Sequence, residues 1–151
     1  TLPDNTLSYV KQKDFEGLYV EGRTRSPASA VDSEHGARIR LDKKDATLLH
    51  ITALQGLQHF RGQLAKVAEY IQANKPLRRT ELVAGVTYRE MGRFAVALGF
   101  REMKVEAVDT EYATSIEAMH MAFCAVNDRQ ANFEPAAVYL PTKEFIRRFQ
   151  T

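Results

Sequence analysis

The feature that most constrains the fold is a run of alternating strand and helix patterns between residues 47 and 102. Residues 47–54 are almost continuously apolar and have the length of a strand covered on both faces. A helical apolar stripe follows, then a second apolar strand at 80–87 and a second helical pattern that ends at Gly99-Phe100. The stretch 101–108, where charged and apolar residues alternate, predicts a strand with one polar face. Two successive strand–helix–strand links predict an α/β (α+β) fold, in which helices pack on a mixed, twisted sheet.

Composition favours one globular domain that spans residues 1–151. The hydrophobic fraction of 44% is enough for a core, and the charged fraction of 26% is ordinary for a globular protein. No run of about 18 apolar residues predicts a membrane span, and no signal-peptide pattern is present. A single cysteine, Cys124, excludes an internal disulfide and suits a reducing compartment, so a cytoplasmic location is expected. Because the first residue is Thr1 rather than Met, we expect a domain excised from a longer chain.

The two central helices have predictable ends. Asn74-Lys75-Pro76 should end the first helix, because a residue before proline disfavours helical dihedral angles. Thr87 and Glu90 match a capping box at the start of the second helix, and Gly99 suits its end. The following apolar side chains define the buried faces of the first and second helix: Phe60, Leu64, Val67, Ala68, Ile71; Met91, Phe94, Ala95, Leu98.

The flanking thirds add shorter elements. Residues 17–21 and 37–41 are strand-like, whereas 24–33, rich in Ser, Ala and Pro, predicts a loop. Residues 113–127 favour a helix and 135–141 a last strand. A short helix at 143–149 carries Phe145, Ile146 and Phe149, and this apolar face needs a partner. That partner is the domain's own core, a missing neighbouring domain or a second subunit, and the first is the default.

From residue 47 to 108, the element order and Gly99-Phe100 resemble the C-terminal half of the GNAT (Gcn5-related N-acetyltransferase) superfamily. The resemblance implies a single GNAT-like domain with acetyl-CoA as cofactor. It further implies an acyl-CoA-dependent N-acyltransferase that acts on an amine of a small molecule or of a protein.

The family's cofactor turn has the form Gln/Arg-x-x-Gly-x-Gly/Ala and opens the long helix, where backbone N–H groups hold the pyrophosphate. The matching stretch 58–63 retains Gln58, has Arg61 and Gln63 in place of the small residues, and keeps Gly62 out of register. The cofactor-binding residues that the resemblance implies are Leu54, Gln58, His59, Arg61, Gly62 and Gln63.

The resemblance also implies direct transfer, in which a deprotonated amine attacks a thioester held between the two central strands. A backbone N–H of the first strand would stabilise the oxyanion. Candidates for the base are His50, on the first strand, and Glu81, which opens the second. An ordinary core or surface histidine is the alternative for His50. The family's tyrosine, which protonates the leaving thiolate, corresponds to Ala95, and Tyr88 is a poor substitute.

Two other functions compete with catalysis. The departures at the cofactor turn and at Ala95 favour a catalytically inactive GNAT-like module that binds a protein partner or a neighbouring domain. An unrelated nucleic-acid-binding or partner-binding module would use basic residues, although a net charge of +2 and their scatter argue against nucleic acid. The arginines concerned are Arg23, Arg25, Arg38, Arg40, Arg147 and Arg148.

Cys124 and His120 lie four residues apart, which places them on one face of a helix. The spacing admits a cysteine nucleophile, or two metal ligands, which are too few for a zinc site. A small buried cysteine is the simpler interpretation.

Overall fold

The structure, a computed structural model, describes residues 12–24, 26–32, 34, 36–51 and 59–150. These residues form one eight-stranded sheet with helices on both faces. The strands are β1 (Lys13–Asp14), β2 (Leu18–Arg23), β3 (Ala28–Asp32), β4 (Gly36–Arg40), β5 (Ala46–Ile51), β6 (Leu82–Tyr88), β7 (Arg101–Val108) and β8 (Pro135–Pro141). The helices are α1 (Phe60–Ala73), α2 (Lys75–Arg78), α3 (Arg89–Ala97), α4 (Thr110–Val126) and α5 (Thr142–Phe149).

The strand order is β1-β2-β5-β6-β8-β7-β3-β4. β5 and β6 pair in parallel, joined by the crossover through α1 and α2. The other strand pairs of the described residues are antiparallel. The predicted fold class, a mixed sheet with helices packed on it, is confirmed.

The helices divide between the two faces of the sheet. Side chains of successive strand residues point to opposite faces, so Gly85 and Val86 on β6 face different layers. On one face α3 packs so closely that a Cβ on Gly92 would lie 2.9 Å from the Cβ of Ala136. On the other face α4 lies against β6, with the His120 ring 5.3 Å from the ring of Tyr88.

The apolar face of α5 packs into the core of this domain. Phe145, Ile146 and Phe149 are all buried. The ring of Phe100, just ahead of β7, lies 6.0 Å from that of Phe145 and 5.7 Å from that of Phe149. The domain's own core is therefore the partner of this helix, and the default prediction is confirmed.

The loop predicted at 24–33 is wrong, because β3 (Ala28–Asp32) occupies half of that range. β3 pairs with β7 on one side and β4 on the other. Ala28 and Ala30 of this strand are buried. Small residues have little strand propensity of their own, so here the pairing partners decide the structure.

The predicted capping box at the start of α3 is also wrong. β6 continues through Thr87, Tyr88 is the N-cap, and no side chain caps the helix. Phe94 is 47% exposed instead of buried. The close approach of Gly92 to β8 turns the face with Met91 and Ala95 inward and Phe94 outward. Gly99 does end the helical segment, at φ +111°, in the left-handed region that favours glycine.

Candidate functional site

The two parallel strands part before they end. β5 and β6 pair from Ala46 with Leu82 to Leu49 with Gly85, and within the described residues their pairing stops there. Both strands continue, β5 to Ile51 and β6 to Tyr88. We call the opening between Ile51 and Val86-Thr87 the strand gap. At the carboxyl ends of β5 and β6, the backbone edges that face each other are therefore not paired with one another within the described residues.

Two cavities meet at the strand gap, and both are lined by Ile51, Val86 and Thr87. The helix-side cavity, of about 40 Å³, lies under α1 and α3 and is apolar. Its other lining residues are Leu18, Leu49, Phe60, Gly85, Met91, Ala95, Phe100 and Val138. The α4-side cavity, of about 400 Å³, opens on the other face. Its other lining residues are Tyr19, His50, Tyr112, Ser115, Ile116, Ala118 and Met119. The two cavities therefore flank the strand gap, one on each face of the sheet.

A chain of three polar side chains lies beside the α4-side cavity. Nε2 of His50 is 2.8 Å from Oε1 of Glu21, on the adjacent strand β2. Nδ1 of His50 is 2.7 Å from the hydroxyl of Tyr112, on α4. That hydroxyl also lies 3.4 Å from the carbonyl oxygen of Val86, at the strand gap. The ring of Tyr19 stacks on the imidazole, with centroids 4.7 Å apart.

Burial sets the charge state of this chain. Burial is the largest influence on His50 and lowers its pKa, so the ring is neutral at neutral pH. Burial alone would raise the pKa of Glu21, but the interaction with His50 and the hydrogen bonds from Arg23 and Gln12 outweigh it and bring that pKa to about 2. Burial raises the pKa of Tyr112, which keeps its proton. These states fix one tautomer: because Nε2 of His50 lies 2.8 Å from the Glu21 carboxylate, that nitrogen carries the ring proton, and Nδ1 accepts from the Tyr112 hydroxyl.

This charge state predicts that stability falls as the pH drops below 6.5. The unfolded chain protonates His50 near pH 6.5 and Glu21 near pH 4.5, whereas the folded protein resists both because the two pKa values are lowered. The unfolded state therefore binds more protons, and the free energy of unfolding decreases with falling pH. Thermal unfolding across this range measures it. His50→Gln should flatten the part of the curve that begins at pH 6.5, and an unchanged curve would contradict the assignment.

The predicted cofactor residues are only partly brought together. His59 and Arg61 are exposed at the start of α1, and a Cβ on Gly62 would meet no atom within 4 Å. The N-cap residue His59 makes no side-chain cap and the first turn has no acidic residue, so within the part of the chain that the structure describes the first backbone N–H groups have no side-chain cap. Gln63 is instead buried, and its Nε2 donates to the carbonyls of residues 15 and 16 at 2.9 Å each. Leu54 and Gln58 lie outside the described residues.

The two candidate bases lie at opposite ends of the central strands. His50 is near the carboxyl end of β5, beside the strand gap. Glu81 precedes β6 at its amino end, where it is exposed and lies 3.0 Å from Nζ of Lys44. The structure thus places His50 at the site and Glu81 away from it.

The remaining candidates form no second site of this kind. Sγ of Cys124 is 3.5 Å from Nε2 of His120, and Oε1 of Glu90 is 3.3 Å from the same nitrogen. A nucleophile and an orienting carboxylate normally use different ring nitrogens, so this is not a triad arrangement. In the described part of the chain, no group of three or more His, Cys, Asp or Glu residues is placed to hold a metal.

Of the arginines in the N-terminal third, Arg38 is exposed, whereas Arg23 and Arg40 are paired with carboxylates. Arg23 is buried and paired with Glu21. Arg40 contacts Asp42 at 3.2 Å and Glu106 at 3.6 Å. Arg25 lies outside the described residues.

Two site residues were not found from the sequence, Glu21 and Tyr112. Glu21 had a usable pattern, since it interrupts an apolar strand run and Arg23 follows two residues later on the same face. Tyr112 had none, because its contact with His50 joins residues 62 positions apart.

None of the helices within the described ranges has the length and apolar character needed to cross a bilayer. Comparison of the chain with models of known families, with curated proteins and with solved structures finds no match.

Proposed function

We propose that the protein is a GNAT-like, acyl-CoA-dependent N-acyltransferase whose reaction takes place in the strand gap. The observation that carries the proposal is the parting of β5 and β6 after Leu49 and Gly85, with a cavity on each face. The GNAT resemblance implies a thioester held between the two central strands, and the strand gap is the matching place. A thioester could enter from one face and an amine from the other.

The cofactor would approach from the side of α1. The uncapped N-terminus of this helix offers backbone N–H groups to a phosphate, and Arg61 adds an exposed guanidinium. Gly62 leaves space above the first turn, so a pyrophosphate could come close to the backbone. Phe60, the first residue of α1, lines the helix-side cavity, and this apolar cavity of about 40 Å³ could take only the end of the thioester arm beside the gap.

The amine would be deprotonated through Tyr112 and His50. The acceptor would attack as the free amine, after its ammonium form has lost one proton to solvent. As the nitrogen bonds to the thioester carbonyl, a second proton passes from it to the Tyr112 oxygen while the Tyr112 proton passes to Nδ1 of His50. The imidazolium that forms is stabilised by the Glu21 carboxylate at 2.8 Å. The proton can return through Tyr112 as the thiolate leaves. Glu81 has no part in this scheme, and Ala95 needs no tyrosine in its place.

The direct test is calorimetric titration with acetyl-CoA and with free CoA, followed by an assay of thiol release with a panel of amines. The proposal expects saturable cofactor binding and amine-dependent release of CoA. Absence of heat and of a thermal shift with either cofactor would contradict it. The inactive binding or assembly module would then be the better hypothesis.

Gly62→Ala should raise stability and weaken cofactor binding at the same time. Alanine is favoured over glycine in a helix by up to about 1 kcal/mol, and the new Cβ meets nothing in the free protein. Beside a bound pyrophosphate the same methyl group would obstruct the approach, so the Kd for CoA should rise by roughly tenfold or more, about 1.4 kcal/mol. Chemical denaturation and calorimetry measure the two effects.

The matched control for Gly62→Ala is Gln72→Ala, an exposed position near the other end of α1. It should leave the Kd for CoA unchanged. A Gly62→Ala protein that is more stable and binds CoA with unaltered affinity would place the pyrophosphate elsewhere.

A further inference from the structure

We propose that Cys124 is a site of reversible oxidation, at which a hydroperoxide converts the thiol to a sulfenic acid and a small external thiol restores it. The site lies near the carboxyl end of α4, apart from the cavities at the strand gap. Cys124, His120, Glu90 and Tyr88 form it, and we call this group the thiol cluster.

The sulfur of Cys124 is accessible and lies next to basic groups. Cys124, the single cysteine of the sequence, is partly exposed, and it lines an open cavity of about 580 Å³ together with His120 and Arg129. Its Sγ lies 3.5 Å from Nε2 of His120. Reactive protein cysteines occur in such partly exposed, electropositive surroundings, whereas a cysteine with only a packing role is buried and inert. A small hydroperoxide can therefore reach this sulfur.

A buried hydroxyl without a partner is the second observation. Tyr88 is fully buried, and among the described residues its hydroxyl has no hydrogen-bond partner. Its ring lies 5.3 Å from the imidazole of His120. Burial raises the pKa of Tyr88 to about 12, and the negative charges of Glu90 and Cys124 add to this shift, so the hydroxyl keeps its proton within electrostatic range of the sulfur. A buried O–H group without an acceptor costs free energy, and a sulfur atom is a weak acceptor. An oxygen atom bonded to that sulfur supplies the acceptor that the reduced thiol cluster lacks.

Oxidation of Cys124 balances with the hydroperoxide as the only co-reactant. A sulfur–oxygen bond forms and the oxygen–oxygen bond of the hydroperoxide breaks, which gives a sulfenic acid and an alcohol, or water from hydrogen peroxide. The sulfur loses two electrons to the peroxide, and the thiol proton ends on the leaving oxygen, with Nε2 of His120 close enough to carry it. The Glu90 carboxylate, 3.3 Å from the same nitrogen, stabilises the imidazole while it carries the proton. The Tyr88 hydroxyl then donates to the new oxygen.

Reduction needs thiols from outside the sequence, because it holds no second cysteine to form an internal disulfide. One small thiol attacks the sulfenic sulfur, forms a mixed disulfide and releases water. A second small thiol attacks this disulfide, which frees the Cys124 thiol and leaves the two small thiols joined as their own disulfide.

The test is oxidation of the protein by hydrogen peroxide, with dimedone as the trap for sulfenic acid. Dimedone does not label methionine sulfoxide, so oxidation of Met121 in the same cavity does not interfere. Peptide mass spectrometry should find the adduct at Cys124. We expect the thiol to react with peroxide roughly tenfold faster than N-acetylcysteine does, and reduced glutathione to restore it. The rate comparison needs no variant.

Tyr88→Phe tests the role of the buried hydroxyl. This change removes only an unpartnered group, so the reduced protein should fold normally. The lifetime of the sulfenic acid should shorten by roughly fivefold, because one hydrogen bond to its oxygen is lost and the acid passes on to sulfinic acid. The lifetime is measured by removing peroxide with catalase and adding dimedone after increasing delays.

Tyr70→Phe is the matched control, because it removes the hydroxyl of a partly buried tyrosine on α1, outside the thiol cluster, and should leave the lifetime unchanged. Three results would overturn the inference. The first is a Cys124 thiol that reacts with peroxide no faster than N-acetylcysteine, and the second is an oxidised Cys124 that glutathione does not restore. The third is an equal sulfenic acid lifetime in Tyr88→Phe and in the unaltered protein.

Discussion

Replacing Glu21 with alanine is expected to lower the free energy of unfolding by about 3–5 kcal/mol, because it leaves buried polar groups without their anion. The Glu21 carboxylate is fully buried and contacts the guanidinium of Arg23, which is 4% exposed, and Nε2 of His50 at 2.8 Å. Without the carboxylate, the Arg23 charge would remain in the interior and Nε2–H of His50 would lose the anion beside it. Urea unfolding near neutral pH measures the change.

Glu81→Ala is the matched control, since it removes the same side chain at the start of β6. Glu81 is exposed and its ion pair with Lys44 lies at the surface, so the loss should be below about 1 kcal/mol. A double substitution, Glu21→Leu with Arg23→Met, separates charge from packing. It should recover much of the stability lost in Glu21→Ala, as replacement of a whole buried ion pair by apolar residues often does. Equal losses for Glu21→Ala and Glu81→Ala would contradict the buried pair.

The sequence predicts the part of the fold in which local pattern and burial agree. β7 at 101–108 and β8 at 135–141 have their predicted limits, and α1 follows its apolar stripe. β3 is missed because Ser and Ala carry no strong pattern, so that its identity depends on β4 and β7, which are distant in the chain. Phe94 is misplaced for a similar reason: spacing identifies a helix, but the close contact of Gly92 with Ala136 decides which face turns inward.

The candidate site is predictable only in part. His50 is proposed from its place on a central strand, and the structure sets it at the strand gap. Its two partners come from an antiparallel neighbour strand and from α4, contacts that depend on strand register and on helix docking. The sequence alone determines neither the strand register nor the docking of α4. Glu81 is the opposite case, since it directly precedes the correct strand, β6, but at the end away from the gap.

Tyr112→Phe and His50→Gln should each lower kcat/KM for acyl transfer by about 100-fold or more, the usual range for loss of a general base. Tyr112→Phe keeps the ring that lines the cavity and removes only the hydroxyl, which lies 2.7 Å from Nδ1 of His50. His50→Gln interrupts the same chain one step later, next to Glu21. Because both act on one proton path, the double variant should lose little more than either single variant. Steady-state kinetics with acetyl-CoA and an amine measure all three.

Tyr70→Phe is the control that shows whether the losses of kcat/KM come from the chain formed by Glu21, His50 and Tyr112. Tyr70 is a partly buried tyrosine on α1 that packs against Phe15, outside the lining of both cavities, so its hydroxyl should be dispensable for transfer. The Kd for CoA should also be unchanged in Tyr112→Phe, since the hydroxyl faces the α4-side cavity and the cofactor would approach from α1. Full activity in Tyr112→Phe would break the proposed path at its first step. Additive losses in the double variant would mean that the two residues act separately, with His50 serving the fold through Glu21 and not the reaction through Tyr112.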